Sequence, residues 1–240
     1  MSRGANPPRA ESRTIDFSRG GPYFGALLLL ALVAFWPTYL SRPLTVDTYT
    51  HLHAFTATLW MLMLVAQPLA IRTRRLTLHR RLGRSSYVLA PLVFLSMVLL
   101  AHSKTHGFSV AQNVEIYVPL SLSLLFSGSW VLGIILRRTV ALHARFMVCT
   151  ALTLIDPVVV RMMFWINPTP TWRYQWFTFG LTDLVFVVLV WRERHGRKGR
   201  AVFPTMLGVF VLAQAVLLFG LYKGPAWQAF VGWFVALPLT

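Results

Sequence analysis

Acidic residues are scarce in this chain of 240 residues: 7 Asp and Glu stand against 23 Lys and Arg, and all charged residues together make up 12%. A soluble domain carries about twice that charged fraction. No polar stretch is long enough to fold alone, which excludes a separate soluble domain and leaves one domain as the default for this length. There is one cysteine, Cys149, inside an apolar segment. That excludes an internal disulfide and a CxxC metal or redox site, so Cys149 reads as a small buried hydrophobe. A phosphate-binding glycine loop, a GxSxG and an HExxH are all missing. No lysine stands within an apolar run to form a retinal Schiff base, since Lys223 lies at the end of the last one.

What is present is hydrophobic: 56% of residues, with a mean hydropathy of +0.59. Seven apolar segments follow in order, Tyr23–Leu40, Leu52–Ile71, Ser86–Ala101, Val114–Leu136, Ala144–Trp165, Tyr174–Trp191 and Ala201–Tyr222. Most approach the roughly 20 residues that cross a bilayer. The expected fold is an all-α polytopic membrane bundle of about seven transmembrane helices over residues 22–222, with short loops that make sequence neighbours antiparallel neighbours. Residues 1–21 read as a disordered basic tail. Residues 223–240 carry Trp227, Phe230, Val231 and Phe234 at helical spacing and read as an outer interfacial helix, with an eighth span as the alternative.

The net charge of +16 is distributed against a nucleic-acid role, because the cations sit in short runs between apolar segments. Arg3, Arg9, Arg13 and Arg19 precede the first span. Arg72, Arg74, Arg75, Arg80, Arg81 and Arg84 separate the second from the third. Arg137, Arg138 and Arg145 surround the fourth turn, and Arg192, Arg194, Arg197, Lys198 and Arg200 the sixth. The other loops hold only Arg42, Lys104, Arg173 and Lys223. The positive-inside rule puts the N-terminus in the cytoplasm and the C-terminus outside, as in a multi-pass protein of the bacterial inner membrane.

The histidines gather at the membrane edges. His51 and His53 open the second span on its outer side, and His102 and His106 close the third there. His79 and His143 stand at the inner ends of the third and fifth spans. His51 and His53 are about 200° apart on a helix, and His53 shares its face with Thr56, Trp60 and Gln67, so His53 is the inward one. With His102 and Glu115 it would make a His/His/carboxylate set suited to zinc, copper or non-haem iron. Paired histidines drawn from His53, His79, His102 and His143 would instead suit haem b. The bland reading has them bonding to headgroups, water or backbone.

Three charges lie within apolar spans, Asp156, Arg161 and Asp183. Such residues are expensive in lipid and mark function or a structural ion pair. Helical rise puts Asp156 and Asp183 at similar depth, and Arg161 is expected to pair with Asp183 across helices. The functional reading of the trio is an anion held by Arg161, or a proton path through the two aspartates.

The stretches HLHAFTATLW, HRRLGR and ALHARFM, with Arg161 beyond, resemble a family of bacterial membrane proteins of unknown function. The resemblance covers roughly residues 50 to 162, through His53, His79 with Gly83 and Arg84, His143 with Arg145 and Met147, and Arg161. It implies a membrane fold and no particular reaction. The layout is also similar to two-haem transmembrane cytochromes b, with His79 and His143 as the inner pair; the fourth span has Glu115 where an outer partner for His53 would stand. Three functions are expected: a redox or metal/haem-binding membrane protein, a small-anion or proton-coupled transporter using Asp156, Arg161 and Asp183, or an accessory subunit docked on a membrane partner or on a second copy. The orientation is tested by fusing alkaline phosphatase to Thr240. The fusion should be active in intact cells, and an inactive one beside an active fusion in the Arg72–Arg75 turn would invert the topology.

Overall fold

In a computed structural model the chain is described over residues 15–105, 110–166, 172–196 and 198–240, with the side chains of 110–115 and 172–173 left aside. Among the described residues the structure is helical and without strands. The helices are α1 (Gly21–Ala34), α2 (Thr48–Arg72), α3 (Leu76–Ser103), α4 (Val110–Ile135), α5 (Val140–Leu152), α6 (Ile155–Ile166), α7 (Trp172–Glu193), α8 (Val202–Leu218) and α9 (Pro225–Val235). Six segments are long and apolar enough to cross a bilayer, α5 and α6 together forming one of 27 residues. α8 is a shorter apolar helix of 17 residues. The protein is a polytopic membrane bundle, and its outward faces are apolar, with Leu29, Ile135, Val187 and Leu212 well exposed.

Helix ends depart from the hydropathy segments for local reasons. α2 begins at Thr48 because the Asp47 carboxylate accepts the Thr50 N–H at 2.8 Å, an N-cap that satisfies an otherwise orphaned donor. Asp47 also pairs with Lys104 across the outer turn. Burial alone would raise its carboxyl, but hydrogen bonds from Lys104 and Thr50 outweigh that and hold it at about 2. α3 starts at Leu76, so the HRRLGR run is helical and only Thr73–Arg75 turn the chain, with Arg74 at φ 58°. α1 stops at Ala34 and passes into a wider turn over Trp36–Leu40, where Pro37 lacks a donor. Of the stretch expected as a tail, residues 1–14 lie outside the described residues, while Asp16 caps a short 3-10 turn and Phe17 packs on Phe203 with ring centroids 6.4 Å apart.

The fifth span, expected as one helix over Ala144–Trp165, is divided. Pro157 has no N–H to give the Thr153 carbonyl, and the chain leaves helical geometry between Leu152 and Ile155. Consecutive helices pack as neighbours, while α6 also meets α1, and α8 meets α4 and α5, which closes the bundle. Trp60 against Phe126 and Phe186 against Phe210 form edge-on aromatic contacts in two of the cores, each at 4.8 Å. α9 has 11 residues, too few for the eighth span. It folds instead over the outer ends of α3 and α4, burying Val231 and Phe234 against Ala101, Ile116 and Leu120.

At the inner end, Arg145 on α5 grips Glu193 at the end of α7. Nε donates to Oε2 at 2.7 Å and Nη2 to Oε1 at 2.8 Å, with side chains 3% and 1% exposed. Nη1 donates to the Ala141 carbonyl at 2.5 Å, and Phe17 covers the guanidinium at 5.2 Å. Gly199, at φ 79°, brings the α7–α8 loop so close that a Cβ there would meet Arg145 Nη1 at 2.9 Å. Removing one member leaves a buried charge alone. Glu193→Ala should cost about 3–5 kcal/mol in detergent unfolding, and Arg145→Met combined with Glu193→Leu should regain most of it. A loss of less than about 1 kcal/mol in the single variant would show that the pair does not hold these helices.

Candidate functional site at the broken span

Asp156 stands in the first turn of α6, 4% exposed, where the N-terminal end of a helix favours an anion. Its Oδ1 accepts from Gln175 Nε2 at 2.7 Å and from the Thr178 hydroxyl, both on α7. Gln175, Thr178 and Thr182 lie at i, i+3 and i+7, so one face of α7 carries a polar stripe. Thr182 and Asp156 line a cavity of about 20 Å³ with Ser121 of α4 and Gln214 of α8. A space of about 10–15 Å³ suffices for one water molecule, and the rest of this wall is apolar, with Leu125, Leu152, Phe179 and Phe210 among the lining residues. From its far side Gln214 Nε2 donates to Asp183 Oδ1 at 3.0 Å. A side chain, a water-sized space and a second side chain thus connect the two aspartates.

Two expectations are corrected here. Asp156 and Asp183 do not share a depth: Asp156 is level with Thr178, and Asp183 lies five residues further inward, about 7.5 Å along α7. Arg161 does not pair with Asp183, whose partner is Gln214, and among the described residues no ion pair joins Arg161 to a carboxylate. Arg161 lies instead over the Phe35 ring of the first outer turn, 4.9 Å from the centroid. Its Nε is buried without a hydrogen-bond partner among the described residues.

His53 turns inward, and its Nδ1 meets Ser96 Oγ of α3 at 3.1 Å. Ser96 is bonded in turn to Thr56 at 2.8 Å and donates to the Val93 carbonyl at 3.0 Å. The charge of Arg161 is felt at the His53 ring. His51 faces away and meets the Tyr39 hydroxyl at 3.0 Å. His102 is six residues outward of Ser96, about 9 Å along α3. It is engaged by Thr240 at 2.6 Å and by the Phe234 ring at 5.2 Å. His53 and His102 therefore sit on different neighbours at different levels. The Glu115 side chain and His106 lie outside the described residues.

The inner histidines are each held by a neighbour of their own. Gln67, with its amide turned to satisfy both ends, donates to His79 Nδ1 and accepts from the Gly83 N–H at 3.0 Å. His143 Nδ1 donates to the Gly133 carbonyl at 2.8 Å. This fixes the tautomers, leaving a proton on Nε2 of His79 and a lone pair on Nε2 of His143. Among the described residues no three His, Cys, Asp or Glu side chains gather to hold a metal ion.

Gln175, Thr178, Thr182 and Gln214 escaped the sequence reading, although the polar stripe at helical spacing in an apolar span was a usable signal for the first three. The chain matches no protein-family model, no curated protein and no solved structure. Within the network, Gln214→Leu takes the donor from Asp183 and a polar wall from the cavity. It should lower stability in detergent by about 1–3 kcal/mol, the cost of stranding a covered polar group. An unchanged midpoint would mean that Asp183 finds its donor elsewhere.

Proposed function

We propose that the chain is a proton-coupled transporter of the bacterial cytoplasmic membrane, with Asp156 and Asp183 as its proton-binding groups. The observation that carries this reading is the pair of intramembrane carboxylates, with Asp156 and Gln214 on the wall of one water-sized cavity and Gln214 bonded to Asp183. Acids within a bilayer are retained where protons or ions pass, and water between two hydrogen-bonding side chains supplies the step that neither reaches alone. The divided span adds support, because transporters bind their cargo where helices are discontinuous and half-helix ends point at the site. Asp156 at the start of α6 has that position. Among the described residues both bonds to Asp156 come from neutral donors and fall on Oδ1, which suits a carboxyl that takes and releases a proton through Oδ2. A histidine-bound metal or haem draws less support, since its outer ligands are held apart by Ser96 and Thr240.

The test is proton movement in proteoliposomes, followed with an internal pH dye while a panel of small anions and cations is added outside. Some member of the panel should drive proton entry in the wild type. Asp156→Asn and Asp183→Asn should each cut the rate about 100-fold or more, on the expectation that a relay fails when either group cannot ionise. Proton movement that survives both substitutions would remove the aspartates from the path, and its absence with every solute would remove the transport reading.

A further inference from the structure

Arg161 poses a separate problem. It is a cation in the outer half of a membrane span, and its Nε is buried and unsatisfied. Among the described residues its support is one aromatic face, Phe35 at 4.9 Å. A cation over a ring recovers only a small part of what removing a guanidinium from water costs. Guanidinium cannot shed its proton to escape that cost, so the balance calls for an anion.

The surroundings indicate where it binds and of what kind. Arg161 is five residues from the outer end of α6 and His53 five residues from the outer end of α2, each about 7.5 Å below the rim. Both residues keep part of their surface uncovered, although Arg161 Nε itself is buried. His53 Nδ1 is committed to Ser96, and among the described residues no hydrogen bond occupies Nε2. Phe35 closes the α1 side with an apolar ring, and Ala34 and Val158 pack beneath it. One fixed positive charge, one imidazole edge and an apolar wall match a monovalent anion with an apolar body.

We infer that Arg161 and His53 form an outward-facing binding site for a small monocarboxylate. The guanidinium Nη groups hold the carboxylate edge, which suits their fixed fork. His53 supplies the directional contact and Phe35 the surface for the carbon skeleton. This deepens the transport reading by giving it a substrate class, since Asp156 follows Arg161 five residues further in on the same helix. Binding at Arg161 does not depend on that reading.

The test is thermal unfolding of the full chain in detergent with acetate or benzoate, against chloride and sulfate at equal ionic strength. Benzoate should raise the wild-type midpoint saturably and more than acetate, with chloride and sulfate inert. Arg161→Gln should abolish the benzoate shift while unfolding in chloride no lower than the wild type, because it removes a charge that the empty site leaves unmatched. His53→Gln should weaken benzoate about tenfold and keep the shift at saturation. Asp183→Asn should leave the shift intact, so a failure of proton transport and a failure of anion binding appear as different results. A midpoint that falls in Arg161→Gln in chloride would overturn the proposal, the charge then being matched within the chain. An equal benzoate shift in wild type and Arg161→Gln would overturn it as well.

Discussion

Proline has no N–H, and in the middle of a bilayer no water replaces the bond it omits. At Pro157 that single deficit divides a 27-residue span into α5 and α6. The division makes a helix start inside the membrane, and the start is where Asp156 is tolerated. Its neighbours on α7 are then decided, since the turn that carries Asp156 faces Gln175 and Thr178. The cavity with Ser121, Thr182 and Gln214 lies beside the same break.

Polar groups in the bundle are arranged by level. At the outer rim Asp47 and Lys104 tie α2 to the end of α3, and α9 covers α3 and α4. Below the rim stand Arg161 and His53, then Asp156 with its two donors, then Gln214 and Asp183. At the inner end Arg145 and Glu193 form a closed bidentate pair. Among the described residues the groups between the two ends, Arg161, His53, Asp156 and Asp183, have no charged partner, whereas the pair at each end answers its own charge. That difference separates groups fit to bind something from groups that hold helices together.

The spans were legible because apolar runs of membrane length have few other readings. The inward turn of His53 followed from helical angle alone, since its face also carries Thr56 and Trp60. The pairing of Arg161 with Asp183 was drawn from depth along straight helices, and a divided span does not keep one axis. Glu193 was hidden by its context: in WRERH it reads as one acid in a basic loop, and only the return of α7 beside α5 buries it. Gln214 carries no signal in sequence, being a lone amide in an apolar span.

The two halves of the divided span are fastened to the same helix by different means. α5 is held to the inner end of α7 by an ion pair with two parallel bonds. α6 is held to the outer half of α7 by an alcohol and an amide bonded to one carboxylate oxygen. Separating the first pulls apart opposite charges in a dry place, whereas separating the second parts a carboxyl group from neutral donors. The span is therefore fastened to α7 on both sides of its break, by a charged clasp below and a neutral-donor clasp above, with Thr153 and Leu154 as the only non-helical residues between the two.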